Sequence, residues 1–277
     1  MTLAADSARS MRIDTHAHVF TRGLPMADAR RYTPNYDVTV EEYIARLDAN
    51  GMSHGVLVQP SFLGADNSYM LAALARYPQR LRGIAMVDAD VSDEELLRLQ
   101  AAGVRGIRFN LVGGADLPDL EGAWRATLKR VARLGWQVEI HREARDLQRL
   151  LEPLMAMGLN IVVDHFGRVD AALGIDDPGF RYLLSTGASQ RVWVKLSAAY
   201  RNGGSEGGKK FAREAWPLLR EHMGTARLLW GSDWPHTQHE SMTSYADAWQ
   251  QFVSLVPGED ERCAITGESS ARLFGFV

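Results

Sequence analysis

The sequence predicts an α/β protein folded as a single (β/α)8 TIM barrel, with one domain over residues 1–277. Eight short runs of β-branched or apolar residues recur along the chain, and a longer amphipathic stretch follows each run. This alternation indicates βαβ units and a parallel sheet. Eight such units favour a closed barrel over an open doubly wound sheet, which usually has fewer strands and a glycine-rich first turn that is absent here.

The predicted strands share an apolar body, and most of them end in polar residues. They are RIDTHAH from Arg12, HGVLVQPS from His54, LRGIAMVDA from Leu81, VRGIRFNL from Val104, WQVEIHRE from Trp136, NIVVDHFG from Asn160, RVWVKLSA from Arg191 and ARLLWGSDWP from Ala226.

Helix boundaries are visible between these runs. Thr39 and Ser92 each precede a glutamate by three residues, which is the spacing of a capping box. Asp177 is a capping carboxylate in front of a proline suited to the first helical turn. The segment Gly203–Lys210, GGSEGGKK, predicts a mobile surface loop or, alternatively, a lid over the active site. Six glycines are predicted to end helices in the left-handed conformation: Gly51, Gly103, Gly135, Gly158, Gly187 and Gly224.

Composition excludes several classes of protein. The net charge is −3, so the basic field of a nucleic-acid-binding protein is missing. Cys263 is the only cysteine, which gives no support for secretion. The first ten residues lack the features of a signal peptide, and no window approaches the ~18 apolar residues of a membrane span. We expect a soluble cytoplasmic protein with no nucleic-acid or membrane partner; its oligomeric state is open, a homo-oligomer included.

Polar residues gather at the C-terminal ends of the predicted strands, where the active sites of (β/α)8 barrels lie. His16 and His18 are two residues apart on one strand and therefore share a face, which we expect to point into the barrel mouth. His54 begins a strand and is interpreted as a structural residue. The other candidates at the mouth are Ser61, Arg108, Asn110, His141, Asp164, His165, Lys195, Ser197, Ser232 and Asp233.

Asp14 and Asp164 each precede one of these histidines, and the sequence leaves two interpretations open. Either carboxylate could orient an imidazole from behind, or it could bind backbone N–H groups at a strand edge.

Three motifs make the chain resemble the amidohydrolase superfamily, and in particular its 2-pyrone-4,6-dicarboxylate lactonase-like branch. They are DTHAHVF from Asp14, VVDHFGR from Val162 and LLWGSDWPH from Leu228. Further matches in the same order are RRYTP from Arg30, QPSFLGADN from Gln59, GIRFN from Gly106, KLSAAYR from Lys195 and ESSARLFGF from Glu268.

The resemblance implies a (β/α)8 barrel that hydrolyses lactones derived from aromatic or sugar acids. It implies that Asp233 activates water and that His16, His18 and His165 polarise the carbonyl. Asn110 is added to the substrate contacts from its place at a strand end. The substrate contacts that the resemblance implies are Tyr32, Ser61, Arg108, Arg168 and Arg201.

Two departures from the branch affect the substrate and the metal. Gly113-Gly114 stands where the dicarboxylate lactonases carry a second arginine, so we expect a substrate that has fewer carboxylates or that is held differently. His141 stands where they carry a tyrosine. With His16, His18 and Asp233 it makes a three-nitrogen, one-oxygen set that predicts one divalent ion, zinc first; the alternative is a site without metal.

Three functions compete for this set of residues. The first is hydrolysis of a small anionic lactone, with Asp233 as general base and arginines that bind carboxylate. The second is a metal-dependent decarboxylase or a lactone isomerase on the same scaffold. The third is a non-catalytic anion-binding barrel, which Asp233 disfavours because a protein that only binds anions gains nothing from a carboxylate in its mouth.

Overall fold

Eight parallel strands form one sheet in the computed structural model, which describes residue 8 and residues 10–277. Pairing follows chain order from β1 to β8 without a crossover. The domain boundary and the signal-peptide prediction both involve residues 1–7 and 9, which lie outside the described residues. The strands are β1 Ile13–Ala17, β2 His54–Val58, β3 Leu81–Ala85, β4 Val104–Asn110, β5 Gln137–His141, β6 Asn160–Val163, β7 Val192–Leu196 and β8 Leu228–Trp230.

Helices connect successive strands, as the alternating pattern predicts. None of the helices in the described part of the chain is both long and apolar enough to cross a membrane. The helices are α1 Val40–Ala49, α2 Ser68–Arg76, α3 Asp93–Ala101, α4 Arg125–Arg133, α5 Leu147–Ala156, α6 Pro178–Ser185, α7 Gly204–Met223, α8 Tyr245–Leu255, α9 Glu259–Cys263 and α10 Ser270–Phe274.

The sheet closes almost completely where the segment after β8 meets the end of β1. The His18 N–H donates to the Trp234 carbonyl at 2.8 Å, and the Asp233 N–H donates to the His16 carbonyl at 2.8 Å. Each of the eight predicted runs contains one of the eight strands, and the prediction of a (β/α)8 barrel is confirmed. The closure also brings Asp233 beside His16 and His18.

Two apolar clusters hold the barrel together. The larger one packs the helices on the outer face of the strands. The smaller one includes Ile13, Val56, Ile84 and Leu229 and continues to Phe274 of α10, at the end opposite the mouth. Because alternate residues of a strand point to opposite faces, the same strands supply both clusters and leave their last inward positions for polar residues.

The predicted helix starts are present, with one partial exception. Thr39 forms a complete capping box with Glu42, and Asp177 accepts from the Gly179 N–H at 2.7 Å. Ser92 accepts from the Glu95 N–H at 3.1 Å, whereas the reciprocal bond from the Ser92 N–H to the Glu95 side chain is not formed.

Five of the six predicted helix-ending glycines have a positive φ, and Gly187 is the exception. It lies in a short 3-10 turn, Thr186–Ser189. A Cβ at Gly187 would come within 2.1 Å of the His222 carbonyl oxygen. Close approach to another backbone therefore explains this glycine, and the left-handed prediction for it is wrong.

The loop prediction for Gly203–Lys210 is also wrong. Helix α7 begins at Gly204, so nearly all of this segment is helical. A Cβ at Gly208 would approach the Ala199 carbonyl oxygen to 2.1 Å, whereas a Cβ at Gly207 would meet nothing within 4 Å. The glycines thus let α7 lie against the turn that follows β7, which is the turn that carries Tyr200 and Arg201.

Candidate active site

Asp233 lies at the centre of the barrel mouth and is almost completely buried. It has a left-handed backbone (φ 60°), an uncommon conformation for a non-glycine residue that recurs at active sites. Its Oδ2 accepts hydrogen bonds from the Tyr200 hydroxyl and from Nε of Arg201 at 2.9 Å. The two oxygens of this carboxylate therefore differ, because one is fully engaged and the other faces the cavity.

Three imidazoles converge on the other oxygen. Nε2 of His16 and Nε2 of His165 each lie 3.6 Å from Asp233 Oδ1, and Nε2 of His18 lies 3.9 Å away. Burial by itself would raise the pKa of Asp233, but the charge of Arg201 above all holds that pKa well below its usual range. Asp233 is therefore an ionised acceptor.

His18 presents a lone pair to the cavity. Its Nδ1 lies 2.7 Å from the Val58 carbonyl oxygen, which can only accept, so Nδ1 carries the ring proton. Burial, together with the charge of Arg108, lowers the pKa of His18 to about 4. At neutral pH the ring is therefore neutral, with an unprotonated Nε2 beside Asp233.

His16 has the opposite arrangement. Nζ of Lys195 lies 3.0 Å from His16 Nδ1, and an ammonium can only donate. Nδ1 is therefore the acceptor, and burial keeps the ring neutral by lowering its pKa well below the usual value. A neutral ring that accepts at Nδ1 has its proton on Nε2. His16 consequently presents an Nε2–H donor 3.6 Å from Asp233 Oδ1.

His141 repeats the arrangement of His16 on the opposite wall. Nη2 of Arg108 lies 3.0 Å from His141 Nδ1, and a guanidinium is also a donor only. The proton of the buried neutral ring then lies on Nε2, which has no hydrogen-bond partner in the protein. His141 therefore offers a second N–H donor to a ligand.

His165 is connected to β7 through Ser197. Its Nδ1 lies 2.9 Å from the Ser197 hydroxyl, which can donate or accept, so this contact does not fix the ring tautomer. The His165 ring packs edge-on against His16 and His141, with ring centroids 4.8 Å apart in both pairs. Burial lowers the pKa of His165 to about 3, so this ring too is neutral at ordinary pH.

Four charged residues beneath the histidines form what we call the charged floor: Arg108, Glu139, Asp164 and Lys195. Lys195 Nζ lies 2.7 Å from Glu139 Oε1 and 3.4 Å from Asp164 Oδ1. Arg108 donates to Asp164 Oδ2 through Nε at 3.1 Å and Nη2 at 3.0 Å. Two cations thus face two carboxylates in a space closed to solvent, where charges are stable only when they are paired.

The two aspartates with open interpretations have different roles. Asp14 accepts from the Ser232 N–H at 2.8 Å and from the Ser232 hydroxyl at 2.7 Å, so it binds the backbone at the closure of the barrel. Asp164 Oδ1 lies 3.4 Å from Lys195 Nζ and 3.4 Å from His16 Nδ1, so it belongs to the charged floor and acts on the imidazole through the Lys195 ammonium. His54 lies at the far end of β2 against Phe276, away from the mouth, as a structural residue would.

The cavity brings together most of the residues predicted from the sequence. The Oδ1 atom of Asn110 is buried without a partner, which leaves it free for a ligand. Two predicted site residues are not part of the cavity lining: Arg168, whose Nη1 donates to the Arg201 carbonyl at 3.0 Å, and His16, which is completely buried beside Asp233. The lining residues are His18, Arg31, Tyr32, Pro60, Ser61, Arg108, Asn110, His141, His165, Arg201, Asp233, Thr237 and Gln238.

Sequence reasoning gave no role to Tyr200 or Arg31, and it did not pair Lys195 with Glu139. Tyr200 could have been found, because it directly precedes Arg201 in the turn after β7. The Lys195–Glu139 pair had no local signal, because the two residues are 56 positions apart and meet only inside the barrel.

Comparison with known proteins decides the family. A model of the amidohydrolase family matches residues 13–276. The chain belongs to the amidohydrolase family. A 4-sulfomuconolactone hydrolase of Hydrogenophaga intermedia is 32% identical over 272 residues, which are 95% of this chain and 88% of the relative. A 2-pyrone-4,6-dicarboxylate hydrolase of Comamonas testosteroni is 36% identical over 241 residues, which are 81% of this chain and 76% of the relative.

A solved structure of a similar protein has the same fold as this amidohydrolase. It comes from Acinetobacter baumannii, is described as a probable 2-pyrone-4,6-dicarboxylic acid hydrolase, and has citric acid bound. It is 43% identical, covers 95% of this chain and 99% of its own, and superposes with a TM-score of 0.92. The resemblance to the pyrone-dicarboxylate branch is therefore confirmed.

Two sets of buried side chains in the described residues are close enough to hold a metal ion: His16, His18 and Asp233, and His16, Asp164 and His165. His141 joins neither set. In both sets the proton assignment of His16 conflicts with ligation, because its Nε2 carries a proton and its Nδ1 already accepts from Lys195. The spacing suits an ion, but the hydrogen bonds leave too few free lone pairs for the three protein ligands of a catalytic zinc.

Proposed function

We propose that this amidohydrolase opens the ring ester of a small anionic lactone by attack of water. The observation that carries the proposal is the different environment of the two Asp233 oxygens. Oδ2 accepts hydrogen bonds from Tyr200 and Arg201. Oδ1 lies within 4 Å of His16, His18 and His165, beside a cavity lined by arginines. The two curated relatives are both named as hydrolases of such compounds.

The attacking water binds between Asp233 Oδ1 and His18 Nε2, which are 3.9 Å apart. Both atoms are acceptors, so a water that donates one hydrogen to each keeps its lone pairs for the carbonyl carbon. Asp233 then takes the proton as general base while the new C–O bond forms.

His16 and His141 polarise the carbonyl. His141 lines the cavity and His16 Nε2 lies beside Asp233 Oδ1, and from these positions both N–H groups donate to the oxygen as negative charge develops on it. Such a donor, held in place before the reaction, is worth roughly 3–4 kcal/mol when it is well aligned. As the ring opens, the proton on Asp233 passes to the leaving ring oxygen, and His165, which touches the same carboxylate oxygen, lies on that path.

The depressed pKa of Asp233 sets a limit on this mechanism. A carboxylate that Arg201 stabilises is a weak base, because the interaction that keeps it ionised also opposes protonation. Proton abstraction therefore supplies only part of the rate enhancement. The larger part comes from the orientation of water and from the N–H donors of His16 and His141.

We propose that this chemistry proceeds without a metal ion. The charged floor places the Lys195 ammonium 3.0 Å from His16 Nδ1 and 3.4 Å from Asp164 Oδ1, so that a cation already lies within the second candidate set. The predicted zinc set of His16, His18, His141 and Asp233 has two imidazoles whose Nε2 atoms are donors. Zinc would need both of these protons removed.

The experiment measures turnover of a panel of lactones by the purified protein, with proton release and product mass as the readouts. The panel contains 2-pyrone-4,6-dicarboxylate, a pyrone monocarboxylate, 4-sulfomuconolactone and a sugar-acid lactone. A product 18 mass units heavier, with one proton released, supports hydrolysis. Loss of carbon dioxide, or a product of unchanged mass, would contradict it and indicate the decarboxylase or isomerase alternative.

A further inference from the structure

Arg31 occupies the wall of the cavity at Gly113. A Cβ built on Gly113 would lie 3.1 Å from Cδ of Arg31, so the side chain passes directly over the glycine. A residue with a side chain at position 113 would compete with Arg31 for this space. The absence of a side chain at Gly113 is therefore what allows Arg31, from the loop after β1, to extend along the wall.

Arg31 differs from the other cations of the cavity in its pairing. Arg108 contacts Asp164 through two guanidinium nitrogens, and Arg201 contacts Asp233 through two. No described residue forms an ion pair or hydrogen bond with the Arg31 guanidinium, whose carbon lies 5.9 Å from the centre of the Tyr32 ring. The like charges of Arg108 and Arg201, which line the same cavity, repel it, whereas the Glu143 carboxylate attracts it without forming an ion pair.

The unpaired guanidinium of Arg31 adds a positive charge at the exposed edge of the cavity. A guanidinium also binds a carboxylate or sulfonate through two parallel hydrogen bonds, which orients the anion as well as holding it. Arg31 can make this contact without breaking one, whereas Arg108 and Arg201 are held by protein carboxylates.

We propose that Arg31 binds the second anionic group of the substrate and so selects lactones with two anionic groups over those with one. This inference rests on the proposed function. It also decides between the two expectations drawn from Gly113-Gly114: the second anion is held differently, from another loop, rather than missing.

The test compares Arg31→Gln with the wild type on 2-pyrone-4,6-dicarboxylate and on a pyrone monocarboxylate. We expect kcat/KM for the dicarboxylate to fall at least about tenfold, through KM, with kcat nearly unchanged. We expect the value for the monocarboxylate to change less than about twofold. Equal losses on both substrates, or no loss on either, would overturn the role of Arg31.

Arg30→Gln is the matched control, because Arg30 is next in the chain but binds its own loop. Its Nε donates to Thr33 Oγ1 at 2.7 Å and its Nη1 to the Ala27 carbonyl at 2.9 Å. We expect this variant to keep the preference for the dicarboxylate. Arg31→Lys should recover part of the preference, because it keeps the charge and loses only the two-point contact.

Calorimetric binding of citrate separates this proposal from the proposed function, because it needs no turnover. Arg31→Gln should bind citrate at least about tenfold more weakly than the wild type does. Both proteins should bind 2-hydroxyisobutyrate, which has one carboxylate, equally well. If the wild type opens no lactone but Arg31→Gln shows this selective loss, the proposed function fails and the anion site stands. If citrate binding is unchanged, the anion site is refuted whatever the activity.

Discussion

The charged floor of the barrel and the rim of its cavity differ in how their cations are paired. The rim is the exposed edge of the cavity that carries Arg31. In the floor, Lys195 and Arg108 are fully paired with Glu139 and Asp164 and are closed to solvent. At the rim, Arg31 is unpaired and exposed. The paired cations fix where protons lie on His16 and His141, whereas the unpaired one is available to a ligand. Changes in the floor should therefore alter kcat, and changes at the rim should alter KM and selectivity.

Asp233→Asn should have a large effect, because Asp233 is both the proposed base and a group that orients the attacking water. We expect kcat to fall by at least ~10², consistent with the loss of general-base catalysis, while KM changes little. Steady-state kinetics measure this, and circular dichroism checks the fold. A near-normal kcat in the folded variant would remove Asp233 from the role of base.

Lys195→Met tests whether the floor sets the tautomer of His16. Without the ammonium, His16 Nδ1 can take the ring proton, so we expect a loss of about 10²–10³ in kcat, the usual cost of one oxyanion donor. We also expect a loss of roughly 3–5 kcal/mol in unfolding free energy, because Glu139 is left buried without its partner.

The double variant Lys195→Met/Glu139→Gln separates stability from catalysis. Removing both charges leaves no uncompensated ion, so most of the stability should return in urea unfolding. The kcat should stay low, because His16 still lacks its donor. Recovery of both quantities together would show that Lys195 has only a structural role.

The pH dependence of activity tests whether His18 is a neutral hydrogen-bond acceptor. Burial lowers the pKa of His18 from 6.5 to about 4, so its acceptor form predominates above pH 4 and is lost as the pH falls through that value. We therefore expect kcat/KM to be flat between about pH 6 and pH 8 and to decline below about pH 5. A rising limb centred near pH 7 would contradict this and is what zinc-bound water would give.

The smallest effect concerns the packing of α7 against the turn Ala199–Asn202, which carries Tyr200 and Arg201. Gly208→Ala should lower the unfolding free energy by ~1–3 kcal/mol, because its Cβ meets the Ala199 carbonyl. Gly207→Ala, one residue earlier on α7, has open space and should raise that free energy by ~0.5–1 kcal/mol. If both substitutions were neutral, the helical start of α7 would be wrong.

The sequence predicts the barrel and the mouth well because both depend on local periodicity. Eight apolar runs define the strands, and the residues that end them, such as His18 and Asp233, meet because parallel strands end together. The Lys195–Glu139 pair depends on two inward side chains meeting across the barrel, which no local pattern shows. Gly203–Lys210 was misjudged because its glycines serve close packing rather than flexibility.

We propose that the charged floor, and not a metal ion, sets the catalytic protons. This proposal is tested most directly by metal analysis of protein purified without chelator, paired with turnover of its best lactone before and after dialysis against a chelator. We expect metal far below one equivalent and unchanged turnover after chelation. About one equivalent of bound zinc, with turnover that is lost on chelation and restored by added zinc, would contradict it.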